Sequence, residues 1–166
     1  LRHKADPTLI DDKGRTPFFA ACDSAIPSRD SEEIIKDILQ KLLDAVRLKA
    51  PEGSQDDEVQ QYINQTNGDQ CLTALHAACK HGKVSIVEWL LHEQKADINV
   101  FTQQGASVLV IAIQHAKITL AEMLIDIIEK RADVNTTTFL NQPCDFGSAL
   151  GLLCAIEVEI RDMTEI

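Results

Sequence analysis

Hydrophobic and polar positions follow a helical period along most of this chain, in short runs separated by Gly, Asn and Pro. The clearest run spans residues 67–99, NGDQCLTALHAACKHGKVSIVEWLLHEQKADIN. Thr73 is placed to cap a helix, its hydroxyl accepting from a first-turn amide that otherwise has no partner. That spacing predicts a helix over Ala74–His81, with Leu75, Ala78 and Cys79 on a narrow face of small residues. Gly82 ends it. Val84, Ile86, Val87, Leu90 and Leu91 then form the apolar stripe of a second helix. Two helices this short cannot bury such faces alone, so the unit must stack on others.

Copies of it recur. In the unit read as 9–64, Thr16 caps and Pro17 takes the first helical position, where a missing amide costs nothing. Phe18, Ala21 and Cys22 point inward. An insertion at 24–31 displaces the partner helix, for which Ser31 is the expected cap, followed by Glu32 and Glu33 and by Ile34, Ile35, Ile38, Leu39, Leu42 and Leu43 as its inward stripe. A second insertion at 47–61, with Pro51, Gly53 and the acids Glu52, Asp56, Asp57 and Glu58, has the composition of an exposed, mobile loop. The opening run is the unit 65–99. In the unit 100–135, Ser107 caps, Leu109, Ala112 and Ile113 turn inward, and Ile118, Leu120, Ala121, Leu124 and Ile125 continue through Ile127 and Ile128, one turn longer. The last unit, 136–166, opens on an extended loop, TTTFLNQPCDF, before a cap at Ser148 with Leu150 and Cys154 inward. Residues 1–8 read as the end of a preceding unit, because Ala5-Asp6 precedes Thr16 as Ala96-Asp97 precedes Ser107. The array is expected to begin upstream.

The caps recur at intervals of 57, 34 and 41 residues, a base period near 33 with insertions, which means a solenoid. The expected architecture is a single all-α domain. With only five Phe, one Trp and one Tyr among 166 residues, the core must rest on Leu, Ile, Val and Ala, which disfavours a β-sandwich. A net charge of -10 and a pI near 4.8 argue against nucleic acid and anionic membrane surfaces, and favour a partner with a basic segment. No apolar run reaches the roughly 20 residues that span a bilayer.

The stretches GRTPFFAAC and TALHAACKHGKVSIVEWLL…ADIN resemble the ankyrin repeat, with its G-x-T-P-L-H-x-A-A opening, V/L-rich second helix and closing A-D-V-N. The resemblance implies an ankyrin-repeat solenoid of stacked helix-turn-helix units with hairpin loops. Only Pro17 keeps the motif proline and only His76 the motif histidine.

Five Cys and five His invite a metal or thiol reading, which the alignment of units weakens. Cys22, Cys79 and Cys154 share one inward column, as small apolar residues do. Neighbouring helices about 8–10 Å apart exceed the roughly 7 Å limit for a disulfide. Cys71 and Cys144 are the expected exposed thiols, and a reducing compartment, cytoplasm first and nucleus second, fits. Neither CxxC nor HxxxH spacing occurs. No cofactor is expected, and no nucleophile, phosphate loop or carboxylate pair suggests an enzyme.

Hairpin tips and the exposed ends of first helices line one concave side of such a stack. The candidate partner contacts are therefore Asp12, Lys13 and Arg15; Asp69, Gln70 and Leu72; Phe101, Gln103 and Gln104; and, from helix ends, Lys80, His81, Gln114 and His115. Leu72 and Phe101 are the expected apolar anchors, and Trp89 is assigned to packing between units. The expected function is a non-catalytic adaptor, scaffold or regulatory module that binds another protein. The alternative is the regulatory or substrate-recruiting segment of a larger enzyme such as a kinase or transferase.

Overall fold

The computed structural model describes residues 6–25, 29–68, 70–131, 134–141 and 143. Eight helices occur among them: α1 (Pro17–Cys22), α2 (Arg29–Lys49), α3 (Gln55–Ile63), α4 (Ala74–His81), α5 (Val84–His92), α6 (Val108–Gln114), α7 (Ile118–Lys130) and α8 (Thr136–Asn141). Among the described residues there is no strand beyond an isolated bridge between Asn67 and Leu72. The pairs α1–α2, α4–α5 and α6–α7 each fold back on themselves. Helices α1, α4 and α6 form an inner row, and α2, α5 and α7 an outer row. Between the rows lies one apolar core, whose largest wholly buried members include Phe18, Leu39, Leu75, Leu90, Leu109 and Leu124.

The inner helices start where their hydroxyl caps are. Thr16, Thr73 and Ser107 accept from the backbone amides of Phe19, His76 and Val110 at 3.1, 3.4 and 3.3 Å. Gly82 closes α4 in the left-handed conformation (φ 71). The three caps and the apolar stripes of α4, α5 and α6 thus follow the sequence pattern; that of α7 does too except at Ile118, which sits on the first turn before the helix meets the core and is 39% exposed.

Elsewhere the structure departs from it. Helix α2 begins at Arg29, so Ser31 is not its N-cap, and it runs on to Lys49. Only Ile35, Leu39, Leu43 and Val46 of its apolar residues are buried, whereas Ile34 and Ile38 are exposed. A six-position stripe is wider than the single face that meets the core. Most of the supposed loop at 47–61 is helix. The acids Asp56, Asp57 and Glu58 occupy the first turn of α3, where negative charge meets the positive end of the helix dipole. Val59, Tyr62 and Ile63 are the buried face of that helix. Tyr62 packs edge-on against Phe18 (centroids 5.6 Å) and donates its hydroxyl to the Pro7 carbonyl at 2.5 Å. The stretch after Asn135 is also not wholly extended: it forms α8, anchored by the buried Phe139. The cap at Ser148, with Leu150, Cys144 and Cys154, lies outside the described residues, as do Ala5 and Ala132-Asp133.

Candidate partner-binding groove

Three hairpins project from the starts of α1, α4 and α6. In the first, Asp11 N donates to Arg15 O (3.0 Å) and Gly14 N to Asp11 O (2.9 Å); in the third, Thr102 N donates to Ala106 O and Gly105 N to Thr102 O, both at 2.9 Å. The second closes through Asn67 N to Leu72 O (2.8 Å), with Asn67 Oδ1 accepting from Leu72 N (2.9 Å). Neighbouring hairpins touch through backbone. Gln103 N donates to Gln70 O at 3.1 Å, and a Cβ on Gly14 would stand 2.8 Å from Gly68 N. This contact and a positive φ of 70 both require glycine at position 14.

The hairpins and inner helices enclose a concave groove. One depression of about 340 Å³ is lined by Phe19, Asp23, Gln70, Leu72, His76, Ala77, Lys80, Thr102, Gln103, Gln104, Ile111, Gln114 and His115. A second, of about 510 Å³, continues it over Asp12, Lys13, Arg15, Asn67, Gln70, Leu72 and Lys80. Ten of the sequence-derived candidates thus line one surface. His81 meets that surface through Asp23. Phe101 does not line either depression: it is half-buried, its ring 5.8 Å from that of Phe139. Asp69 lies outside the described residues.

Asp23, the C-cap of α1, was not among the candidates, because no motif marks its position. Its carboxylate sits 3.0 Å from His81 Nε2, 3.3 Å from Lys80 Nζ and 3.9 Å from an Arg15 guanidinium nitrogen. Burial would raise its pKa, but hydrogen bonds from His81 and Lys80 and the Lys80 charge outweigh that and hold it below the usual value. His115 is shifted down, first by burial and then by the nearby charges of Lys80, Lys117 and His81. Although the chain is acidic, Lys80 and Lys117 set positive charge beside His115 at this end of the groove.

Buried polar chemistry beneath the groove is structural. His76 Nδ1 accepts from Thr73 N (3.2 Å) and lies 2.9 Å from Thr73 Oγ1, completing a capping box and leaving the proton on Nε2. Nε2 makes no well-aligned hydrogen bond among the described residues. Burial depresses the imidazole to about 4, against the raising effect of the Ala106 and Val100 backbone. Lys83 is also buried, its ammonium bound to Ala21 O (3.1 Å) and Ser24 Oγ (2.9 Å) at the negative end of α1. The thiols of Cys22 and Cys79 are wholly buried and pushed up, Cys22 to about 12, so neither is a nucleophile. Among the described residues no group of three His, Cys, Asp or Glu side chains could hold a metal, and no helix is long and apolar enough to cross a membrane.

Stacked antiparallel helix pairs with projecting hairpins and a concave inner side define a helical-repeat solenoid. The ankyrin-repeat model matches three copies over residues 36–138, and the chain belongs to the ankyrin-repeat family. Among solved structures it resembles a chain in the crystal structure of the yeast ribosomal protein Rps3 in complex with its chaperone Yar1. The TM-score is 0.60 at 18% identity, covering 78% of this chain and 81% of that one. At that identity the likeness shows the fold alone. No curated protein sequence matches the chain significantly.

Proposed function

We propose that this domain is a non-catalytic interaction module that takes an extended segment of another protein along the concave groove. One observation carries the reading: among the described residues, the side chains of Gln70, Gln103, Gln104 and Gln114 line the groove without making a hydrogen bond, beside the apolar Leu72 and Ile111. The fold does not use these four amides. Each offers a donor and an acceptor, the pair needed to satisfy the exposed backbone of a peptide in extended form.

Charge divides the roles of the surface. The carboxylates of Asp56, Asp57 and Glu58 on α3 lie outside the groove, while Lys13, Arg15, Lys80 and His115 lie on it. A partner with basic flanks is drawn by the net charge of -10 and is held centrally by the amides. Cytoplasm, or nucleus, suits the buried thiols of Cys22 and Cys79.

The test is partner capture by chemical cross-linking and mass spectrometry, comparing wild type with the double variant Gln104→Arg/Gln114→Arg. The variant should keep the wild-type melting temperature, because surface changes of this kind cost within about 0.5 kcal/mol. It should lose the captured protein. Retention of the same partner at the same yield removes the groove from the mechanism.

A further inference from the structure

Besides Leu48 near its end, which is 86% exposed, helix α2 leaves two large apolar side chains in water: Ile34 is 63% and Ile38 44% exposed. They lie on the side of α2 away from the next unit. Glu32 accepts from Ser85 N at the start of α5 (3.2 Å), and Lys36 reaches Glu93 (3.3 Å) and lies 5.9 Å above the Trp89 ring. At about 100° per residue, Ile34 and Ile38 point nearly opposite to Glu32 and Lys36.

The other outer helices show what that side is for. Ile38, Trp89 and Met123 occupy one position in their helices, each directly before the buried Leu39, Leu90 or Leu124. Trp89 faces the preceding helix α2 and is 3% exposed. Met123, with Ile127 one turn on, shares a crevice with Leu91 and His92 of the preceding helix α5. In both helices this column meets the unit before it. Only on α2 is it bare.

Residues 6–16 supply a second, independent sign. Asp6 Oδ1 accepts from Thr8 N at 2.9 Å as Asp97 Oδ1 accepts from Asn99 N at 2.8 Å. Pro7 is buried as Ile98 is, and the Asp11–Arg15 hairpin repeats the bonds of Thr102–Ala106. Residues 97–107 link the second helix of one unit to the first helix of the next, so residues 6–16 have the geometry of a link that follows a helix pair.

We propose that a further helix pair of the same kind, N-terminal to Leu1 in the same protein, stacks on α2 and covers Ile34 and Ile38. A solenoid end needs a polar outer face to remain in water, and this column is not one.

The experiment compares thermal unfolding of residues 1–166 and of the natural protein with its sequence before Leu1, each with and without Ile34→Lys/Ile38→Lys. In residues 1–166 the lysines should leave Tm unchanged within about 1 °C, since both positions are exposed. In the longer protein they should lower Tm by about 5 °C or more, the cost of charge in a covered apolar seam. Absence of a helix pair before Leu1, or an unchanged Tm in the longer protein, overturns the proposal. A dimer of residues 1–166 in sedimentation that the lysines dissociate also overturns it, by giving the column to a second copy.

Discussion

The Asp23 carboxylate stands 3.0 Å from His81 Nε2, joining the end of α1 to the end of α4 across the wall of the groove. A carboxylate at a helix C-terminus meets the negative end of the dipole, so by itself it is unfavourable there. Lys80, His81 and Arg15 reverse that balance. We predict that Asp23→Asn costs roughly 1 kcal/mol in urea unfolding at neutral pH. Because the folded-state pKa is lowered, this stabilisation is present above the ordinary carboxylate range and is lost as pH falls through the lowered value. The difference between wild type and variant should therefore vanish in acid. It should also shrink with added salt.

His76 makes a prediction in a different pH window. Its imidazole titrates at about 4 in the folded state because it is buried, against 6.5 when exposed. The unfolded chain takes up this proton first, so the stability is intact above pH 6.5 and is lost as pH falls toward 4. At 1.36 kcal/mol per pKa unit the full loss is about 3 kcal/mol. Carboxylates contribute to any acid profile, so the informative measurement is the difference between wild type and His76→Gln. That difference should narrow by about 2 kcal/mol between pH 6.5 and pH 5.

Glycine at position 14 is tested against glycine at position 53. Both have positive φ, 70 and 92, but a Cβ at Gly14 meets Gly68 N at 2.8 Å, whereas at Gly53 nothing lies within 4 Å. Gly53→Ala should cost only the left-handed backbone strain, about 1 kcal/mol. Gly14→Ala adds overpacking of about 1–3 kcal/mol between two hairpins. Equal losses in denaturant unfolding would falsify the idea that hairpin contact requires Gly14.

The repeat units could be read from the sequence because a hydroxyl cap followed by an apolar stripe is a local pattern, and Thr16, Thr73 and Ser107 supply it. Helix α3 was hidden because three consecutive acids look like a solvated loop unless Val59, Tyr62 and Ile63 are counted with them. Ile34 and Ile38 read as inward in the sequence because a periodic stripe gives its width but not which edge meets the core. The hairpin and helix-end positions that line the groove follow from repeat alignment. Asp23 does not, since its role depends on Lys80 and His81, far along the chain. Phe101 reads as a free anchor in the sequence because its partner, Phe139, stands in a stretch with the look of an extended loop.

The Phe101–Phe139 contact gives the last prediction. The rings are 5.8 Å apart and tilted by 45°, Phe139 buried and Phe101 half-buried. Offset and tilted pairs contribute about 0.5–1.5 kcal/mol beyond the area they bury. A double-mutant cycle on Phe101→Leu and Phe139→Leu should therefore yield a coupling energy near 1 kcal/mol, measured by urea unfolding. Phe139 is a buried side chain of α8, so each single variant should speed amide hydrogen exchange in residues 136–141 while leaving α4 and α5 protected. If the coupling is zero, Phe101 is free of the core, and its expected place as an apolar anchor for a partner regains its basis. If the coupling is present, Phe101 holds α8 in place, and Leu72 is left as the apolar contact in the groove.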